Sequence, residues 1–272
     1  MRTLFATPRL DRALTAVLRI GVALLWIQNA AWKAPPEFAT LRSFTVHAVD
    51  HPVLPPYAWF VEHVVLPNFT FFGWAVLVVE ASIGGFLLVG LATRFWAVIG
   101  AGQTLAITLS VLNTPNEWHW SYFLMLLAHL AIFGTAAAGA FSVDGLRRTD
   151  PTRARLNQAT LVLGAAALAA LLFIPVHGIF EFVEIRQAGI VITAAVGALA
   201  VVAGLVGQRL LTTVAGAAFL LAALVNLVTL GNGNPLGGNG STIAVWLGLG
   251  AGLLAVGLTH PSTAALGEVA PR

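Results

Sequence analysis

Eight times along this chain an apolar stretch of 18 residues or more recurs, at 13–33, 69–93, 95–112, 119–140, 158–177, 188–206, 210–230 and 242–259. In hydrocarbon, backbone N–H and C=O groups find no water, so a segment of this length satisfies them internally as a helix. With 58% hydrophobic and 9% charged residues the chain lies well outside soluble-domain composition. The expected fold is an all-α polytopic membrane protein of eight transmembrane helices. The first run continues into Asn29, Trp32 and Lys33 without a small-residue cleavage site, so it reads as a span and not as a removed signal.

Lys and Arg set the orientation. With the N-terminus cytoplasmic, the inner face carries Arg2, Arg9, Arg12, Arg19, Arg94, Arg147, Arg148, Arg153, Arg155, Arg209 and Arg272, while the outer face carries only Lys33, Arg42 and Arg186. Both termini are therefore expected in the cytoplasm of a cell-membrane protein. The sequence pI near 10.2 follows from these inner turns and gives no reason to expect nucleic acid as a partner.

The chain divides into 1–150 and 151–272. The first part includes a long outer loop, 34–68, punctuated by Pro35, Pro36, Pro52, Pro55, Pro56 and Pro67. Short interfacial helices are expected there at Glu37–Val49 and Tyr57–Val65. The stretch 87–102 resembles 201–216 in pattern, helix then tight basic turn then helix, which is consistent with two parallel four-helix units or with the sameness of Gly/Ala/Leu-rich helices. Gly248 and Gly252 at four-residue spacing allow close helix contact in the second part, which reads as supporting.

Glu80 is the only acidic residue inside any of the apolar runs. An ionisable group at bilayer depth usually faces the bundle interior. It reads either as a functional carboxyl or as a structural one bonded between helices. Arg19, Trp26, Asn29 and Lys33 share a stripe of the first run. In the fourth, Trp118, Tyr122, Met125 and His129 share another, with His129 about 15 Å below the outer end and near the expected depth of Glu80. Glu80 and His129 are candidate catalytic groups relaying protons within one polar pocket. Trp118, Trp120 and Tyr122 also fit an interfacial aromatic belt. Arg19 reads as snorkelling. If the first helix is straight, Lys33 stands about 10 Å or more from Glu80 along the membrane normal, which suggests substrate contact and not proton relay.

The absence of cysteine excludes disulfides, thiolate chemistry and Cys-ligated metal centres. His47 and His51 have chelating spacing, but no ligand-rich surroundings, and no metal site is expected. The glycine-rich 231–240 segment lacks a phosphate-loop lysine.

The segments Asn29-Ala-Ala-Trp-Lys33, Glu80-Ala-Ser-Ile-Gly-Gly-Phe-Leu-Leu-Val-Gly-Leu-Ala-Thr-Arg94, Asn116-Glu-Trp-His-Trp-Ser-Tyr122 and Gly139-Ala-Phe-Ser-Val-Asp144 resemble the DoxX/DoxD membrane family over about residues 10–150. The resemblance implies a quinone-linked membrane oxidoreductase of the thiosulfate:quinone type, in which two thiosulfates give tetrathionate and quinone is reduced. Alternatives are a non-catalytic membrane subunit that anchors or assembles a redox complex, and a small-molecule transporter. On the enzyme reading Trp26, Asn29, Trp118 and Tyr122 contact the quinone. Lys33, Arg42 and His119 then hold the anionic reductant. The bilayer, membrane quinone and a partner subunit are the expected partners.

Overall fold

The computed structural model describes residues 8–135, 139–149, 151–231 and 233–261. Arg2 and Arg272 lie outside the described residues. Every regular element described is helical. The long helices are α1 (Pro8–Ala31), α4 (Phe69–Val89), α5 (Thr93–Val111), α6 (His119–Gly134), α8 (Arg153–Ala170), α9 (Ala188–Val206), α10 (Arg209–Thr229) and α11 (Gly240–Leu258). Three short ones, α2 (Ala39–Asp50), α3 (Pro55–Phe60) and α7 (Val143–Arg148), lie in the connections.

Five helical segments are long and apolar enough to cross a membrane: Pro55–Val89, Arg153–Phe173, α9, α10 and α11. Helix α6 is apolar but shorter. In α1 and α5 the apolar pattern is broken by side chains such as Arg19 and Gln103, whose partners lie inside the bundle.

The 34–68 connection is more helical than its prolines suggest. Helix α3 runs through a π turn, Val61–Val65, and a 3-10 turn, Leu66–Asn68, into α4. Pro67 removes one backbone donor, and a segment that has already left regular α spacing tolerates that loss.

The first-half helices close a ring in which α1 packs on α4, α4 on α5, α5 on α6 and α6 on α1. The second half repeats the order, α8 on α9, α9 on α10, α10 on α11 and α11 on α8. Helix α11 joins the rings by packing against α4 and α1. Its Gly248 faces Gly85 of α4, and a methyl on either would collide with the other helix's backbone. Close backbone approach of this kind is how membrane helices gain van der Waals contact without a hydrophobic driving force.

One end of the bundle holds the basic turns with Arg94, Arg147, Arg148, Arg153, Arg155 and Arg209; we call it the basic end. There Arg19 does not snorkel. It is fully buried, donating to the carbonyls of Leu87 at 2.5 Å, Leu88 at 3.0 Å, Ala140 at 3.2 Å and Phe141 at 2.8 Å. Leu87 and Leu88 end α4, so the guanidinium binds carbonyls that the helix leaves without amide partners. Across the turn, where Gly90 is left-handed at φ 66°, Asp144 accepts from the Ala92 and Thr93 amides at 2.9 and 2.8 Å, a carboxylate at the start of α5. This clamp fixes α1, α4 and α5 against one another, and so sets the register of the site above it.

Candidate functional site

Toward the opposite end α1, α4 and α5 bring four polar side chains together. Lys33 Nζ lies 2.5 Å from Glu80 Oε2, with both side chains 1% exposed. Asn29 Nδ2 donates to the same carboxylate oxygen at 3.0 Å, and Gln103 Nε2 donates to Oε1 at 3.1 Å. Lys33 folds back past the end of α1 to donate to the Asn29 carbonyl at 2.7 Å, and its ammonium sits 3.8 Å from the centroid of the Trp32 ring. Trp32 Nε1 donates to Asn29 Oδ1 at 3.0 Å. Every polar atom of the pair is thus engaged. That saturation matters because an isolated charge here carries a desolvation penalty of several kcal/mol.

The straight-helix expectation that separated Lys33 from Glu80 is therefore corrected. It measured the backbone rise and ignored the reach of a lysine stem turned back along its own helix.

A cavity of about 470 Å³ opens on this pair, within the range of small-molecule sites. Asn29, Lys33, Glu80 and Gln103 form its polar part. Its walls are largely aromatic and aliphatic, with Phe44 from α2, Phe60 from α3, Phe69, Phe72 and Val76 from α4, and Ile107 from α5. Tyr57, Ser110, Glu117 and Tyr122 add hydroxyls and a second carboxylate. Tyr57 and Ser110 are 2.9 Å apart, and Tyr122 donates to Glu117 Oε2 at 2.7 Å. From Gln103 to Ser110 the cavity follows α5 for about 10 Å.

The other candidates fall differently. His129 is fully buried but outside the cavity wall. Trp26 Nε1 donates to its Nε2 at 2.9 Å, and its Nδ1 lies 2.8 Å from the Met125 carbonyl. With Nε2 accepting and Nδ1 against a carbonyl, the ring is the neutral Nδ1–H tautomer with both nitrogens used. Gly100 lies against this imidazole, where a methyl would overlap Nε2. Trp26 and Asn29 are three residues apart on α1, and Gly100 and Gln103 three apart on α5. The two clusters are therefore adjacent layers, and none of these hydrogen bonds joins Glu80 to His129.

Trp118 is 68% exposed and Trp120 likewise, as an aromatic belt requires, and neither lines the cavity. Tyr122 does line it. Arg42 is exposed, donating to the Leu66 carbonyl at 3.1 Å and lying 5.4 Å from the Phe69 ring centroid. His119 is exposed at the start of α6. Of Lys33, Arg42 and His119, only Lys33 lines the cavity. Among the described residues no group of three or more His, Asp or Glu could hold a metal ion.

Gln103, Tyr57, Ser110 and Glu117 are not among the site residues expected from the sequence. Gln103 carried a usable signal, an amide in an otherwise apolar run. Tyr57 is brought to the cavity by the folding of α3, Ser110 lies two turns beyond Gln103 on α5, and Glu117 comes from the α5–α6 connection.

Comparisons with curated proteins and with solved structures give no match. The family model described as TQO small subunit DoxD matches residues 14–172. That span contains α1 to α8 almost entire, and with it every residue of the cavity, while α9 to α11 lie beyond it. The match covers more than half of the chain, and the chain belongs to the DoxD family.

Proposed function

We propose that this chain is the quinone-reactive membrane subunit of an oxidoreductase, and that the cavity beside Glu80 and Lys33 receives the quinone headgroup. The observation that carries the reading is the buried, fully bonded Glu80–Lys33 pair at the polar end of an aromatic-walled cavity. A flat neutral ring fits these walls, and the donors fit carbonyl oxygens, since Asn29 and Gln103 each use one N–H on Glu80 and retain a second.

A quinone supplies two-electron acceptance coupled to uptake of two protons. In this site Lys33 Nζ and Glu80 Oε2 share an exchangeable proton across a 2.5 Å contact while the pair stays neutral. Asn29 and Gln103 orient the carboxylate, and the phenylalanine walls exclude water from it. Glu80 is the catalytic carboxyl in this proposal. His129 is assigned to holding Trp26, and through it α1, in register.

The electron donor is assigned to a partner. The cavity has no cation left unpaired by Glu80, so it disfavours a dianion such as thiosulfate. The family's description as a small subunit supports a partner chain. In its fullest form the proposal is a thiosulfate:quinone oxidoreductase in the cell membrane, with eight spans and both termini cytoplasmic. The second reading, a purely anchoring subunit, draws on the exposure of Arg42 and His119 outside the cavity wall.

The test is an assay of the complex isolated from membranes, using thiosulfate and a short-chain quinone. Reduction lost in Glu80→Gln with the partner still bound supports the quinone reading. Unchanged reduction in that variant favours anchoring.

A further inference from the structure

A second cavity, about 600 Å³, opens at the basic end on the face made by α10 and α11. It is unrelated to the cavity at Glu80, and α10 and α11 lie beyond the family match. Its floor is set by two small residues, Ala251 and Ala255, one turn apart on α11. Leu220 and Leu258 stand beside them as walls. The trough is long. Leu220 lies eleven residues into α10 from Arg209, so its apolar part reaches about 16 Å toward the membrane centre.

The rim has the opposite chemistry. Arg147, at the end of α7, and His260, just past α11, both line the opening and both are exposed. Among the described residues no ion pair involves Arg147. Asp144, on the same short helix, is held by the Ala92 and Thr93 amides and forms no ion pair with Arg147. Arg209 donates to the Gly257 and Thr259 carbonyls at 2.7 and 2.6 Å, which holds the turn that presents His260.

An apolar trough ending in two basic side chains matches the chemistry of an acyl chain below a phosphate. We infer that this cleft is a binding site for an anionic phospholipid, its chain along Ala251 and Ala255 and its headgroup between Arg147 and His260. The arginines of the basic end raise the local concentration of such lipids, because clustered basic side chains at a membrane surface attract anionic headgroups. Free phosphate would satisfy the rim but leave the trough empty. A zwitterionic lipid would fill the trough with less gain at the rim.

The experiment uses the full chain, purified in detergent, stripped of lipid, and titrated with phosphatidylglycerol or phosphatidylcholine of equal chain length. Retained lipid is counted by native mass spectrometry. Wild type is expected to prefer phosphatidylglycerol at least about five-fold, the effect of one basic group at a membrane surface. Arg147→Gln with His260→Gln, both surface changes, should bring the preference close to one. Ala255→Leu, which fills the trough, should lower retention of both lipids while thermal stability stays near wild type. Millimolar inorganic phosphate should displace little. Equal retention of the two lipids by wild type, a preference untouched by the double variant, or full displacement by phosphate would each overturn the assignment.

Discussion

Lys33, just past the end of α1, and Glu80 of α4 form a 2.5 Å ion pair in a part of the molecule where neither side chain is more than 1% exposed. Both charges are enclosed by Asn29, Gln103 and the Trp32 ring, so the site is neutral as a whole while each partner depends on the other.

That dependence is measurable. Glu80→Gln or Lys33→Met alone leaves one buried charge without its partner, a loss of about 3–5 kcal/mol. Combining the two substitutions removes both charges and should restore most of the lost stability without restoring quinone reduction. Thermal unfolding of the four proteins in one detergent checks this. A double variant no more stable than the worse single one contradicts the pairing.

Trp26 and His129 form the neighbouring layer and should behave differently. Trp26→Phe removes the indole donor and leaves His129 Nε2 buried without a partner, a cost of about 1–3 kcal/mol. Neither ring lines the cavity, although Met125, whose carbonyl pairs with His129 Nδ1, does, so quinone affinity should fall far less than in Glu80→Gln. Titration of a short-chain quinone into the variant, beside its melting curve, separates the two effects. A large affinity loss would join His129 to the site after all.

Gly100 and Gly102 offer a matched pair on α5. A methyl at Gly100 meets the His129 imidazole, whereas one at Gly102 meets nothing within 4 Å. Gly100→Ala should destabilise by about 1–3 kcal/mol through overpacking. Gly102→Ala should be neutral or slightly stabilising, by up to about 1 kcal/mol of helix propensity. The order of the two melting temperatures is the readout, and the reverse order contradicts the packing.

How much of this was legible in the sequence differs residue by residue. Glu80 stood out because a carboxyl in an apolar run is costly wherever it points, and Asn29 because it shared a stripe with Trp26. The Glu80–Lys33 contact was hidden by the flexibility of the lysine stem, which no spacing rule describes. Arg19 looked like a snorkelling residue because its partners, the carbonyls of Leu87, Leu88, Ala140 and Phe141, come from segments 68 to 122 positions away. His129 shared the expected depth of Glu80, but depth says nothing of which neighbour a ring will face. Pro67 read as a helix boundary, and the chain instead passes it in a π and 3-10 segment.

The charge asymmetry makes a topological prediction that needs no background subtraction, since the chain has no cysteine. Glu62→Cys and Thr149→Cys each place a thiol at an exposed position. In intact cells a membrane-impermeant maleimide should label the first and spare the second until the membrane is opened. Labelling of Thr149→Cys from outside would reverse the orientation.

The central claim is that a quinone sits against Glu80 and Lys33, and photolabelling with an azido-quinone tests it most directly. Adducts should map to peptides carrying Asn29–Lys33, Phe72–Glu80 and Gln103–Ser110. They should fall about ten-fold in Glu80→Gln, roughly the loss of one hydrogen bond involving a charged group. Adducts confined to α9–α11, or labelling of the cavity peptides unchanged by Glu80→Gln, would contradict it.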